Sequence, residues 1–336
     1  MIIKTHSRLH MTLIDMNGSY GRSDGGIGLT LAEPNFILKL EESNEGITID
    51  FDKEYSEDIK NEAIRKIKLA TERLLKYFDV DCGLHFTVLN TYPNHSGLGS
   101  GTQISLATAK LVYDLLIKKS LISKPFKKDE ETIKLAEILK RGGTSGIGIF
   151  SFDYGGFIVE GGHDLKEKGT ILPSDEFPAK PPQLIGSYEF PEEWDIIVVI
   201  PEGDTSITGA KEDETFAANL PIPKNDAEKL SHLILMNLIP FMLEKNIESF
   251  GKTIHQIQEL GFKKVEVSLH PKNIHDAMDK LREFGAHGVG MSSFGPGFYG
   301  FTCGNTQEVY TAIKDYIGDD GTVFVTKAQN HGREFL

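Results

Sequence analysis

Polar and apolar positions alternate from the start of the chain. Between residues 8 and 13, Leu9, Met11 and Leu13 fall on one face and Arg8, His10 and Thr12 on the other, the period of a strand. Extended backwards, the polar face gains His6 and so carries His6, Arg8 and His10, where a solvent face usually carries Lys, Glu and Thr. Asn17-Gly18 and Asp24-Gly25-Gly26 signal turns. Residues 28–31 and 36–40 predict two further strands of an antiparallel sheet, broken at Pro34.

The period lengthens over 57–78, where Ile64, Ile67, Ala70, Leu74 and Leu75 share one helical stripe. A strand at 84–89 feeds a glycine-rich stretch at 93–102. A helix follows from about 103 to 118, with Ile104, Ala107, Leu111 and Leu115 inward. Another helix ends near Arg141-Gly142-Gly143, and 147–159 is apolar and rich in glycine. Residues 165–192 hold Pro173, Pro178, Pro181, Pro182 and Pro191 and predict an irregular connection, dividing the chain into domains at 1–185 and 186–336. Beyond it the pattern predicts a buried strand at 195–200 and helices at 226–244, 246–260 and 273–284. Two strands flanking a glycine turn at 295–297, a helix at 307–317 and a strand at 322–326 complete the series. That order predicts an α+β fold, with helices over one face of an antiparallel sheet.

Charge narrows the partners. The 336 residues carry 36 Lys and Arg against 49 Asp and Glu, a formal net charge of −13. This excludes a protein that wraps a nucleic-acid backbone, but a local cluster of cations can still bind phosphate. Cys82 and Cys303 form neither a disulfide framework nor a zinc spacing. The oiliest stretch, 230–243, is interrupted by His232, Asn237 and Pro240 and is too short to span a bilayer. With no apolar leader at the N-terminus, the expectation is a cytoplasmic protein that engages no membrane.

Glycine, at 34 residues, concentrates where chemistry is expected. The run Ser96, Gly97, Leu98, Gly99, Ser100, Gly101, Thr102 follows a strand and opens a helix. First-turn amides and the helix dipole there favour a phosphate or carboxylate, and the glycines let the backbone approach it. No Lys follows Gly101, unlike the nucleoside-triphosphatase loop, and Thr102 stands where the dinucleotide fingerprint has its third glycine. The plainer alternative is a tight turn with a helix cap. A second cluster, with Gly285, Gly288, Gly290, Gly295, Gly297 and Gly300, exceeds what a hairpin needs and predicts close approach to the first loop or to a ligand.

On the basic strand, His6 and His10 lie about 13 Å apart, too far to share a metal as neighbouring strand ligands. Arg8 is the natural bidentate clamp for phosphate or carboxylate. Arg22 and Asp24, at a turn, read equally as site residues or as a surface pair. In Arg141-Gly142-Gly143-Thr144-Ser145-Gly146-Ile147-Gly148, a helix C-cap explains the first two glycines but not Gly146 or Gly148.

The loop at 93–102, the block from Ser145-Gly146 to Tyr154-Gly155-Gly156 and the loop at 290–300 resemble the three signature regions of the GHMP superfamily of small-molecule kinases, over nearly the whole chain. The resemblance implies an N-terminal domain like the second domain of ribosomal protein S5 and a ferredoxin-like C-terminal domain. Two departures stand out. Mevalonate-type kinases carry an Asp two residues after the Ser-Gly pair, where this chain has Gly148, and glycine accepts no proton. They also usually carry two serines in the phosphate loop where this chain has Ser100-Gly101.

Within the superfamily, Thr5-His6-Ser7-Arg8-Leu9-His10-Met11-Thr12-Leu13-Ile14-Asp15, Gly21-Arg22-Ser23-Asp24-Gly25-Gly26-Ile27-Gly28-Leu29 and the Arg141 block resemble the beta-ribofuranosylaminobenzene 5'-phosphate synthases of archaeal methanopterin biosynthesis. That resemblance implies joining phosphoribosyl pyrophosphate to 4-hydroxybenzoate or 4-aminobenzoate, with release of carbon dioxide and pyrophosphate, and a homodimer. For such chemistry the run from Ser96 to Thr102, with Arg22, Arg141, Ser145, Gly295 and Gly297, is expected to bind substrate. His6, Arg8, His10 and Asp24 are expected to be catalytic, with a protonated histidine assisting the leaving group. A magnesium ion is expected on the diphosphate, its protein ligands left open, and no organic cofactor. An ATP-dependent kinase and an inactive binding protein of the same fold are the alternatives.

Overall fold

A computed structural model of the chain describes residues 1–94, 96–172, 180–203 and 210–336. The first domain contains β1 (Ile2–Asp15), β2 (Arg22–Ser43), β3 (Ile47–Phe51), α1 (Glu57–Phe78), β4 (Gly83–Asn90), α2 (Ser100–Lys118), α3 (Glu131–Ile138), α4 (Ile147–Asp153), β5 (Phe157–Glu160), β6 (His163–Asp164), α5 (Leu165–Lys168) and β7 (Leu184–Tyr188). The second contains β8 (Asp195–Pro201), α6 (Ala210–Asn219), α7 (Lys224–Leu233), α8 (Ile239–Leu243), α9 (Ile247–Gln258), α10 (Gly261–Ser268), α11 (Lys272–Glu283), β9 (His287–Met291), β10 (Phe298–Thr302), α12 (Thr306–Ile317) and β11 (Gly321–Thr326), before the final β12 (Glu334–Phe335).

The first sheet runs β12-β1-β2-β4-β3, with β5 and β6 also on β2 and β7 on β5. The second runs β11-β8-β10-β9, all antiparallel. Numbered within its domain, that order is 4-1-3-2, the ferredoxin-like arrangement the resemblance implied. The α+β expectation holds on both sides of the molecule.

Three differences from the pattern reading have physical causes. β2 is one strand through Pro34, because its register on β1 jumps from His6 opposite Asn35 to Arg8 opposite Thr30 and the proline sits in the skipped stretch. The polar face of β1 is buried along with its apolar face, since α2 and α4 of its own domain and α7 and α10 of the other all pack on it. The expected division near 185 falls inside β7, and the chain's end returns to the first sheet, where Gln329 N donates to Thr30 O at 2.9 Å and β12 pairs with β1. Of the proline-rich connection, Pro173 and Pro178 lie outside the described residues; α5 and β7 occupy much of the rest. The helices α6 and α10 were not expected.

The core is continuous. Met11, Leu29, Phe86, Ile104 and Leu111 join the sheet to α2, and a ring cluster of Phe190, Trp194, Phe250 and Phe301 carries it into the second domain with centroids 5.2 to 5.8 Å apart. Among the described residues no helix is long and apolar enough to cross a membrane.

Candidate active site

The helix that follows the glycine run starts at Ser100, earlier than its apolar stripe suggests, so Ser100, Gly101 and Thr102 form its first turn. The amides of such a turn have no partner inside the helix. Gly97 and Gly99 both adopt φ near +80° (81° and 77°), a region that disfavours side chains. A Cβ on Gly99 would lie 2.8 Å from Arg8 Cζ, so the guanidinium rests against this loop. Arg8 Nη1 donates to Gly97 O at 2.5 Å, and Arg8 N donates to Leu98 O at 3.1 Å.

The second glycine loop closes on the first. A Cβ on Gly297 would come within 2.2 Å of Ser96 O. Ser292 Oγ donates to Gly97 O at 2.7 Å and accepts from His10 N at 3.0 Å. The close approach expected of this loop is therefore real, and its partner is the helix-opening loop.

Between them lies a cleft of about 270 Å³ whose walls include Arg8, Lys66, Arg141, Ser100, Gly101 and Thr102. Gly101 faces two of the cations: its Cβ would stand 3.4 Å from Lys66 Cε and 3.9 Å from an Arg141 Nη. Burial, then the nearby Arg141, pulls the Lys66 ammonium down to about 8, and burial takes Arg8 to about 10. Glu62 Oε1, 3.5 Å from Lys66 Nζ, offsets part of that repulsion, and a bound anion at the helix N-terminus would offset more. The Glu62 and Glu212 carboxylates also line the cleft, as does Gly295.

A divalent cation could use those two carboxylates with the Ser100 and Thr102 hydroxyls. Among the described residues no three His, Cys, Asp or Glu side chains converge. A magnesium ion there would take its remaining ligands from phosphate and water, and Glu62 would have to share its carboxylate with Arg65, which donates to both oxygens at 2.7 Å.

The chain matches the GHMP kinases N terminal domain over residues 63–156 and the GHMP kinases C terminal domain over 238–317. It is 45% identical to the beta-ribofuranosylphenol 5'-phosphate synthase of Methanothermobacter thermautotrophicus, with 99% of this chain and 97% of that protein covered. Its identity to the protein of the same name from Methanocaldococcus jannaschii is 41%, over 99% of each. The chain belongs to the beta-ribofuranosylphenol 5'-phosphate synthase family. In fold it is similar to L. major mevalonate kinase, with TM-score 0.72 and 13% identity over 98% of this chain and 96% of the kinase. It is also similar to a homoserine kinase from Cytophaga hutchinsonii, with TM-score 0.66 and 16% identity over 100% and 97%.

At the position where the resemblance expected a kinase acid, Gly148 of α4 packs on the Thr102 side chain of α2. A Cβ on Gly148 would stand 3.0 Å from Thr102 Cγ2, so a larger residue there would require the Thr102 side chain to give by a few tenths of an ångström. Ser145, near the start of the same block, has its Oγ 3.2 Å from His10 Nε2. His10 is buried, and that burial, with Arg8 and Lys263 nearby, holds its ring well below the ordinary imidazole range. Burial therefore disfavours the charged form of this ring, and a protonated histidine assisting the leaving group is not supported at His10.

Other expected residues lie elsewhere. His6 faces Ala32 O and Glu334, with Nε2 3.1 Å from the Glu334 carboxylate, outside the cleft. Asp24 pairs across from Asp15, about 23 Å along β1 from Arg8. It is buried in a cluster where His163 Nδ1 approaches Oδ2 at 2.6 Å and Lys168 Nζ donates to both oxygens at 2.9 and 2.8 Å. Arg22 donates to Gly161 O and Gly162 O at 3.0 and 2.8 Å. Of the phosphate run, Leu98 turns into the core, and Ser96 donates to Pro93 O at 3.0 Å and lines an adjoining groove.

The sequence reading missed Lys66, Glu62, Glu212 and Phe294, all on the cleft wall. Lys66 and Glu62 sit on α1 among charges that read as a solvated face. Their one signal is position, since Ala63 and Ile67 beside them belong to the buried stripe.

Proposed function

We propose that this chain condenses phosphoribosyl pyrophosphate with 4-hydroxybenzoate, giving the beta-ribofuranosylphenol 5'-phosphate, carbon dioxide and pyrophosphate. The observation that carries the reading is the cationic cradle: Arg8, Lys66 and Arg141 gathered at the first turn of α2. The phenol in the relatives' name favours 4-hydroxybenzoate over 4-aminobenzoate.

The cradle supplies what the reaction demands. As the anomeric C–O bond lengthens, charge builds on the departing diphosphate, and fixed amides and guanidinium groups stabilise it without reorganising. Lys66, partly discharged when the cleft is empty, regains its proton beside phosphate. Arg8 is held by the Gly97 and Leu98 carbonyls, so it meets the anion without losing further rotational freedom. Glu62 and Glu212 would hold a magnesium ion, which when bound neutralises diphosphate charge. The ring carbon that bears the carboxylate attacks the anomeric carbon, and loss of carbon dioxide restores aromaticity.

A kinase reading is disfavoured by Gly148, which has no side chain to accept a proton. Incubation with both substrates and magnesium, followed by mass analysis, should give a ribosyl phosphate that has lost the carboxyl carbon, with one pyrophosphate per product. EDTA should stop turnover. Stoichiometric consumption of ATP, or no product from phosphoribosyl pyrophosphate, refutes the assignment.

A further inference from the structure

We infer that Ser145 and His10 act as a pair that takes the 4-hydroxyl proton of the aromatic acid and returns it after decarboxylation. The inference rests on the reaction proposed above and assigns a step that reaction leaves open. A neutral phenol is a weak carbon nucleophile at the position para to its hydroxyl, and its phenolate is far stronger. The kinases' acid is gone from position 148, so a base must come from elsewhere.

The geometry offers one. Arg8 and His10 share a face of β1 with no register shift between them, about 7 Å apart along the strand, and Arg8 lines the cleft. His10 is held in place by its backbone, its N donating to Ser292 Oγ at 3.0 Å and its O accepting from Ser293 N at 2.8 Å. Its Nε2 is 3.2 Å from Ser145 Oγ, and its buried Nδ1 has no hydrogen-bond partner. A serine hydroxyl hydrogen-bonded to an imidazole can pass its proton to the ring, and so can relay one from a hydroxyl placed beside it.

Burial first, and then the surrounding charges, disfavours the charged form of the ring. Arg8 and Lys263 oppose protonation; Lys263 is paired with Glu266 on α10. On β5, Glu160 lies near the same ring, both approaching the space beside Gly26, and burial pushes its carboxyl up to about 8. Its carboxyl oxygens accept from Gly146 N and Gly162 N at 3.4 and 2.7 Å, which holds it in place beside the ring.

The balance closes. The phenol proton passes to Ser145 Oγ as the Ser145 proton moves to His10 Nε2. The para carbon bonds to the anomeric carbon while the C–O pair leaves with pyrophosphate. The C–C pair of the carboxylate returns to the ring as carbon dioxide departs, and the resulting phenolate recovers its proton by the reverse relay.

His10→Gln is the test, with 4-hydroxybenzoate and phosphoribosyl pyrophosphate as substrates. General-base loss lowers kcat by about 10²-fold or more at pH 7. KM for phosphoribosyl pyrophosphate stays within about threefold, because the cradle is intact. The pH profile is decisive. The wild-type rate is flat from about pH 6 to 8, whereas the variant climbs close to tenfold per unit toward the phenol's own ionisation, about 10. With 3,5-difluoro-4-hydroxybenzoate, whose hydroxyl ionises at lower pH, the gap between wild type and variant shrinks below tenfold. Ser145→Ala shows the same pH signature and reports independently if the His10 variant folds poorly. Equal losses at every pH and with both aromatic acids reduce the pair to a structural contact. Wild-type protein that forms no product overturns the reaction itself.

Discussion

Replacing Lys168 by Met should expose how the Asp24 cluster supports the first domain. Asp24 and Lys168 side chains have 0% and 1% exposure, and the carboxylate holds the ammonium through both oxygens. Methionine fills most of the lysine stem but leaves the carboxylate with His163 in a dry environment. Removing one partner of a buried pair costs about 3–5 kcal/mol. With an unfolding entropy of about 2.1 cal/mol/K per residue, the 336-residue chain loses roughly 0.7 kcal/mol per degree, so Tm should fall by about 4–7 °C. Urea titrations at pH 7 of Lys168→Met, Asp24→Asn and the double variant complete a cycle. The double variant should be less destabilised than the sum by about 2 kcal/mol, because no bare charge remains. A single variant within about 0.5 kcal/mol of wild type, or strict additivity, refutes the argument.

Three further outcomes are expected at the cleft. Arg8→Ala should lower kcat/KM for phosphoribosyl pyrophosphate by about 10²–10³-fold, while Lys252→Ala, exposed on α9 beside Glu248, should stay within about twofold; steady-state kinetics compare them. Gly297→Ala places a methyl 2.2 Å from Ser96 O and should raise that KM at least about tenfold by pushing the two loops apart, with the affinity read by calorimetry. Because Lys66 loses its proton near pH 8 in the empty cleft, diphosphate affinity should weaken as pH rises through that value, and Lys66→Arg should flatten the dependence.

Local order was legible wherever one period dominated. The helix expected at 57–78 has those bounds, because Ile67, Ala70 and Leu74 form an uninterrupted stripe with acidic residues in its first turn. The glycine run was legible as an anion loop because strand, loop and helix are contiguous. What pattern could not give was which distant residues converge. Lys66 reaches the loop from α1, and Arg141 from the end of α3 through its own turn. His6 looked equivalent to Arg8 by alternation, yet the register shift on β2 and the returning chain end place it beside Glu334. Asp24 looked available at a turn, but the sequence carries no sign that Lys168 and His163 close over it. Nor does alternation show that α10 packs on β1, which carries His10, or that Lys263 of α10 lies close enough to disfavour a charged ring there.

The pairing of β12 with β1 sets an order on biogenesis. Ile3 stands opposite Phe335, and Leu336 N donates to Ile2 O at 3.1 Å, so β1 acquires its outer neighbour only after both domains have been made. Throughout translation that edge is a bare row of amides and carbonyls, open to any other nascent strand. A ribosome-bound chain stalled before residue 327 should therefore expose β1 to proteolysis and misassociation even after the rest of its sheet has formed.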